Sequence, residues 1–119
     1  MTQHDPLVTL RQMIDFARGL AEIARGRSRP DLDTNQEFHW AVLRGLEVLG
    51  EAARRLPDDF RDRYPAIPWR QIIGMRNQLI HGYENVDMEA VWRALHERVL
   101  TLSDDLVRIL GELEGSGRR

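Results

Sequence analysis

The stretch Thr34-Asn35-Gln36-Glu37-Phe38-His39-Trp40-Ala41-Val42-Leu43-Arg44-Gly45-Leu46-Glu47-Val48-Leu49-Gly50-Glu51-Ala52-Ala53-Arg54-Arg55-Leu56 decides the fold class. Phe38, Ala41, Val42, Gly45, Leu46, Leu49, Ala52, Ala53 and Leu56 recur at three- and four-residue steps, the period of one buried helix face. Thr34 and Glu37 have the form of a capping box, which predicts a helix starting near Asp33 or Thr34. Small residues at Gly45, Gly50, Ala52 and Ala53 would let another helix approach closely.

The same period runs outward in both directions. Asp5 reads as an N-cap with Pro6 in the first turn, and Leu7, Leu10, Ile14, Ala17, Ala21 and Ala24 follow as one stripe until residues 26–30 break it. Pro57-Asp58-Asp59-Phe60 opens a short third segment. Tyr64-Pro65 closes it, because the residue before proline resists the helical conformation. Pro68 starts a fourth helix through Trp69, Ile72, Ile73, Arg76, Leu79 and Ile80, and Gly82 is a good left-handed stop. Asp87 caps a last long helix whose apolar face is Val91, Leu95, Val99, Leu102, Leu106, Ile109 and Leu113, and residues 114–119 read as a frayed tail. No alternating β pattern and no internal repeat is present. The expectation is an all-α bundle of about four to five helices in a single domain, residues 1–119.

Composition narrows the function classes. The chain has 119 residues, enough for one core, with 42% hydrophobic and 30% charged residues. It has no cysteine, which removes disulfides, thiolate nucleophiles and cysteine-based zinc sites and fits a reducing cytoplasm. The first five residues lack a basic cluster followed by an apolar run, and no stretch approaches the roughly 20 apolar residues of a membrane span. The expected location is therefore cytoplasmic, with no membrane partner. A net charge of -2 argues against bulk electrostatic binding of nucleic acid. Every basic residue is arginine, whose planar fork suits phosphate better than lysine does.

Chemistry is concentrated in Arg76-Asn77-Gln78-Leu79-Ile80-His81-Gly82-Tyr83. Arginine can hold a phosphate, and histidine can move a proton at neutral pH. Such a cluster is a candidate for metal-free chemistry on a phosphodiester. Spacing alone is better served by compensation of the helix dipole. Five positions on an ideal helix separate two side chains by about 140°, so Arg76 and His81 meet only if the helix ends at His81 or a second subunit completes the site. Asn77 lies one turn before His81 and can orient the imidazole, hold a phosphate oxygen, or simply face solvent. Tyr83 can stack on a base, accept a modification, or pack onto the bundle. His4, His39 and His96 have no companions at metal-ligand spacing, and no phosphate-cradling glycine loop is present. The expectation is therefore no metal and no cofactor. Glu47, Glu51, Arg54 and Arg55 form a charged helical face in which Glu51 could orient an arginine, and Arg61, Arg63 and Arg70 flank the motif as a basic rim interrupted by Asp58, Asp59 and Asp62.

Three stretches together, residues 50–56, residues 64–69 and residues 73–83, make the chain resemble the HepT family of the HEPN superfamily, small toxins of prokaryotic toxin–antitoxin pairs. The resemblance covers nearly the whole chain, and the arginine, asparagine, histidine and tyrosine of the motif match without a gap. It implies a HEPN-type helical bundle that pairs as a homodimer, with both motifs facing one cleft. It implies metal-independent endoribonuclease activity on RNA, with Arg76 and His81 in the catalytic roles and Asn77 beside them. The implied partner is an MntA-like minimal nucleotidyltransferase antitoxin that silences the toxin by AMPylation of Tyr83, a type VII-like arrangement. The alternative is a non-catalytic helical module that binds a nucleotidyltransferase and presents its substrate.

Overall fold

The computed structural model describes residues 5–82 and 86–117, with side chains through residue 115. All regular structure among the described residues is helical: α1 (Pro6–Ala24), α2 (Asp31–Thr34), α3 (Gln36–Arg55), α4 (Asp58–Asp62), α5 (Trp69–His81), α6 (Met88–Arg93) and α7 (Leu100–Gly117). A π-helical segment, Ala94–Val99, joins α6 to α7, so these run as one rod and the described residues form six helical rods. The expectation of four to five misses the single turn α2.

The termini of the helices follow local chemistry. Asp5 caps α1 by accepting the Leu7 N–H at 2.9 Å, with Pro6 at the first position. α1 ends before Gly26, whose φ of 74° is the left-handed conformation that a side chain would resist. The capping-box expectation at Thr34 and Glu37 is corrected. Leu32 is buried and pulls Asp31–Thr34 into a helical turn of its own, so Thr34 ends α2 and its hydroxyl donates to the Pro30 carbonyl at 3.2 Å. Asn35, extended at φ -111°, takes over and accepts the Phe38 N–H at 3.0 Å. Pro68 precedes α5 and Asp87 caps α6 as expected. α5 stops at His81, but Gly82 sits at φ -126° with its N–H bonded to the Gln78 carbonyl, so the stop is not left-handed.

Val91, Leu95 and Val99 are all buried across the π segment, so the rod keeps one core face through the irregularity. α7 then continues through Gly117, beyond the last apolar position, and Arg11 on α1 pairs with Glu114 on it. No described helix is long and apolar enough to cross a membrane.

α3 is the hub, packed on α1 and on α5, while α1 also packs on α7. Leu10, Met13, Ala17, Val42, Leu49, Leu95 and Leu106 are sealed from solvent between them. Two glycines of α3 set the approach distances. A Cβ on Gly45 would fall 2.5 Å from Leu20, and one on Gly50 would fall 2.2 Å from the Cβ of Arg76 and 2.9 Å from the Ile72 carbonyl oxygen. The Trp69 indole donates to the Tyr64 carbonyl at 3.0 Å, tying the α4–α5 connection to the start of α5.

Gly50→Ala should force α3 and α5 apart and lower stability by about 1–3 kcal/mol. Gly111→Ala, on the exposed side of α7 with nothing near its added Cβ, should raise stability by up to about 1 kcal/mol. Urea denaturation of both variants measures the contrast.

Candidate functional site

The site begins where α5 crosses α3. Because Gly50 has no side chain, the stem of Arg76 lies against the α3 backbone. Its guanidinium then reaches Glu51, the next residue of α3, with Nη2 2.9 Å from Oε2. Nη1 donates to Asn77 Oδ1 at 2.8 Å. Nε is buried and has no hydrogen-bond partner among the described residues. The Arg76 side chain is only 19% exposed, so this cation is held by its surroundings rather than free on the surface.

Glu51 serves two arginines. Arg54 binds both of its oxygens, through Nη2 at 3.0 Å and Nε at 3.3 Å. That hydrogen-bonded guanidinium holds the Glu51 carboxyl below the ordinary glutamate range. Burial opposes the shift, and the charges of Arg54, Arg76 and Arg55 add to it. Glu51 is therefore ionised at neutral pH and fixes Arg76 by charge.

An open cleft of about 420 Å³ lies against this cluster, lined by Gln12 and Phe16 of α1, Arg44, Glu47, Val48, Glu51 and Arg55 of α3, and Arg76 and Ile80 of α5. Arg44 is paired with Glu47 at 3.1 Å. Phe16, Arg44 and Val48 also line an adjoining shallow apolar groove with Ile23 and Ala41. Phe16 and Ile23 are both 45% exposed and Trp40 is 62% exposed, so an apolar surface faces outward beside the arginine.

The other motif residues go elsewhere. Asn77 is exposed and opens onto a separate groove of about 580 Å³ with Arg61, Arg70, Asp58 and Asp62. His81 is exposed on the last turn of α5 and lines neither groove. The structure thus brings Arg76, Asn77 and Glu51 together and leaves His81 apart from Arg76 within one chain, as five positions on a regular helix require. Tyr83 lies outside the described residues, as does His4. His39 is structural, its Nδ1 3.0 Å from the Leu32 carbonyl, and His96 packs edge-on to Trp92. The basic rim is partly neutralised: Arg61 pairs with Asp58, and Arg63 lies 3.9 Å from Asp59.

Glu51 was legible as a member of a charged face that could orient an arginine, but not as the partner of Arg76 in particular. The stronger signal was its position next to Gly50, since a glycine that admits another helix also delivers the following residue to it.

The ion pair predicts a pH effect. A carboxylate held low in the folded state adds stability that is fully present above the ordinary glutamate value and is lost as pH falls through its lower folded value. Wild type should therefore lose thermal stability over this range more steeply than Glu51→Gln, which cannot titrate there. Melting curves of the two proteins from pH 3 to 7 measure the difference; parallel curves would remove Glu51 from the account.

Comparison with known proteins gives a consistent result. The family described as Ribonuclease HepT-like matches residues 13–110. The chain is 36% identical over 83 residues to "Probable ribonuclease HepT" of Thermococcus cleftensis, covering 70% of this chain and 76% of that protein. It is 32% identical over 99 residues to "Putative RNase MJ1380" of Methanocaldococcus jannaschii, covering 83% and 91%. A second protein of that organism, "Putative RNase MJ1216", is 30% identical over 115 residues, covering 97% and 95%. No solved structure matches.

Proposed function

This chain belongs to the HepT-like ribonuclease family, and we propose that it is a metal-independent endoribonuclease, the toxin of a type VII-like toxin–antitoxin pair acting in the cytoplasm. The observation that carries this reading is the clamped arginine: Arg76 is seated by Gly50, paired with Glu51 and hydrogen-bonded to Asn77 at the edge of an open cleft. A cation held in place before substrate arrives can stabilise charge that develops on a phosphodiester without reorganising.

RNA supplies its own nucleophile. In the proposed reaction the 2′-hydroxyl oxygen attacks the adjacent phosphorus while an imidazole accepts its proton. The bond from phosphorus to the 5′-oxygen breaks, and that oxygen takes up a proton. The products are a 2′,3′-cyclic phosphate and a 5′-hydroxyl, so no water is consumed and DNA is not cut. His81 is the proton-transfer group, Arg76 carries the phosphorane charge, and Asn77 positions the phosphate or the imidazole.

His81 and Arg76 diverge on one helix, so we assign the working form to a homodimer in which both motifs face one cleft. The outward apolar surface of Phe16 and Ile23 beside the Arg76 cleft supports this assembly. Silencing is assigned to an MntA-like minimal nucleotidyltransferase that transfers AMP from ATP to Tyr83. The added phosphate would stand two residues from His81, competing for Arg76 and repelling RNA.

RNA should be cut in excess EDTA by wild type and not by His81→Ala, both made without the partner. An equimolar mixture of Arg76→Ala and His81→Ala should recover cleavage, because a mixed dimer contains one intact pair if each pair spans two subunits. No cleavage by wild type over a broad set of RNAs would instead favour the non-catalytic module that presents a substrate to a nucleotidyltransferase.

Tyr83→Phe should still cut RNA, but should gain no AMP when incubated with the nucleotidyltransferase and ATP and should stay active. Intact mass and residual cleavage read the two outcomes. Loss of cleavage in this variant would give Tyr83 a binding or catalytic role.

A further inference from the structure

We propose that the outward face of α5, flanked by Arg70 on one side and by Arg93 and Arg98 on the other, is the track along which single-stranded RNA reaches the His81 end of the helix. The proposal rests on reading the chain as a ribonuclease. It adds a binding surface that lies away from the Arg76 cleft.

Geometry supplies the first support. Arg93 and Arg98 are five positions apart, as Arg76 and His81 are, and on a regular helix each pair would diverge by about 140°. The π-helical segment Ala94–Val99 starts directly after Arg93 and contains Arg98, and it replaces the usual turn with an i→i+5 turn. Both arginines consequently line one groove of about 210 Å³, together with Gln71 and Gln78 of α5. The irregularity, through which the rod keeps one core face, also puts two cations side by side next to the motif helix.

Charge supplies the second support. Most arginines elsewhere among the described residues are paired, as Arg44 is with Glu47, Arg54 with Glu51 and Arg108 with Asp105, while Arg18, Arg27 and Arg55 are not. Arg70, Arg93 and Arg98 have no carboxylate within ion-pair distance among the described residues. Among the described residues no carboxylate lines the groove of Arg93 and Arg98. On the Arg70 side Asp58 is already engaged by Arg61, which leaves Asp62 as the opposing charge. Unpaired guanidiniums in a chain of net charge -2 form a local site for a polyanion rather than a general basic surface.

Gly74 joins the two sides. It lines both grooves, and a Cβ built on it meets nothing within 4 Å. The groove of Asn77 and Arg70 therefore opens into that of Arg93 and Arg98 across a position with no side chain. Arg70 to His81 spans about 16 Å of helix axis, the length of a short run of nucleotides, and the exposed amides of Gln71 and Gln78 can meet unstacked base edges.

The test is fluorescence anisotropy with a short, unstructured, labelled RNA, titrated against full-length His81→Ala protein so that the RNA stays intact. Adding Arg93→Gln with Arg98→Gln should weaken binding about tenfold and reduce the salt slope of log affinity by about 1.4, two phosphate contacts on a single strand. Gly74→Glu, which improves helix propensity and so should fold, should weaken binding by a similar factor with an unchanged or higher melting temperature. Arg18→Gln, an exposed arginine of α1 without an acidic partner among the described residues, should stay within about twofold. In the active protein the paired arginine substitutions should raise KM and leave kcat in place. RNA affinity and salt slope unchanged in both track variants, with wild type still cutting RNA, would overturn the track alone. An equal loss in Arg18→Gln would also overturn it, since net charge would then explain the binding. Wild type that neither binds nor cuts RNA overturns the ribonuclease reading with it.

Discussion

The crossing of α5 over α3 at Gly50 is the contact on which the rest of the structure depends. It removes a side chain so that Arg76 can lie against backbone, and everything specific about the site follows from that proximity. Glu51 is carried to the guanidinium because it is the next residue of α3. Asn77 reaches it because it is the next residue of α5. The arrangement leaves the Nε of Arg76 buried without a hydrogen-bond partner among the described residues, a penalty on the order of 1–3 kcal/mol for an unsatisfied polar group. The ion pair to Glu51 and the packing of the arginine stem work against that penalty, so the group that would serve chemistry is also part of the helix–helix contact.

That double duty explains why the site does not look like a closed catalytic dyad. Arg76 is committed to α3, and the helical repeat then directs His81 away from it. A single chain offers a preset cation in one place and an exposed imidazole in another. An assembly that brings two copies together can satisfy both constraints without bending α5, which is a smaller demand on the fold than a kinked helix carrying both groups. The outward apolar side chains Phe16 and Ile23 beside the same cleft are consistent with such an economy of design.

Much of the fold was legible because it is written in caps and stripes. Asp5, Pro68 and Asp87 mark real starts, and the apolar steps of α1, α3 and the last rod mark real core faces. What failed did so locally. Thr34 and Glu37 satisfy the pattern of a capping box, but the burial of Leu32 makes Thr34 helical and hands the cap to Asn35. Gly82 ends α5 at the right residue by a geometry open to residues other than glycine. For the site, Arg76 and Asn77 were visible as a motif, and the divergence of Arg76 from His81 followed from counting residues. That Glu51 could orient an arginine was legible too, but not which one, because a carboxylate on a charged face looks the same whether it meets solvent or a neighbouring helix. The π segment had no such signal, since the steps of Val91, Leu95 and Val99 match those of Phe38, Val42 and Leu46 on the regular helix α3.

The π segment can also be read as a history. A residue inserted into a helix that is packed on both sides cannot push the rest of the rod around its axis without unseating every later core position, so the excess is held as a local bulge. Val91 on one side and Leu102 and Leu106 on the other remain buried here, with the extra length confined between them. A bulge of this kind lets a chain gain or lose surface chemistry by a single codon while its core stays where it was. The last rod is thus a place where one residue more or less leaves the core positions on either side in register.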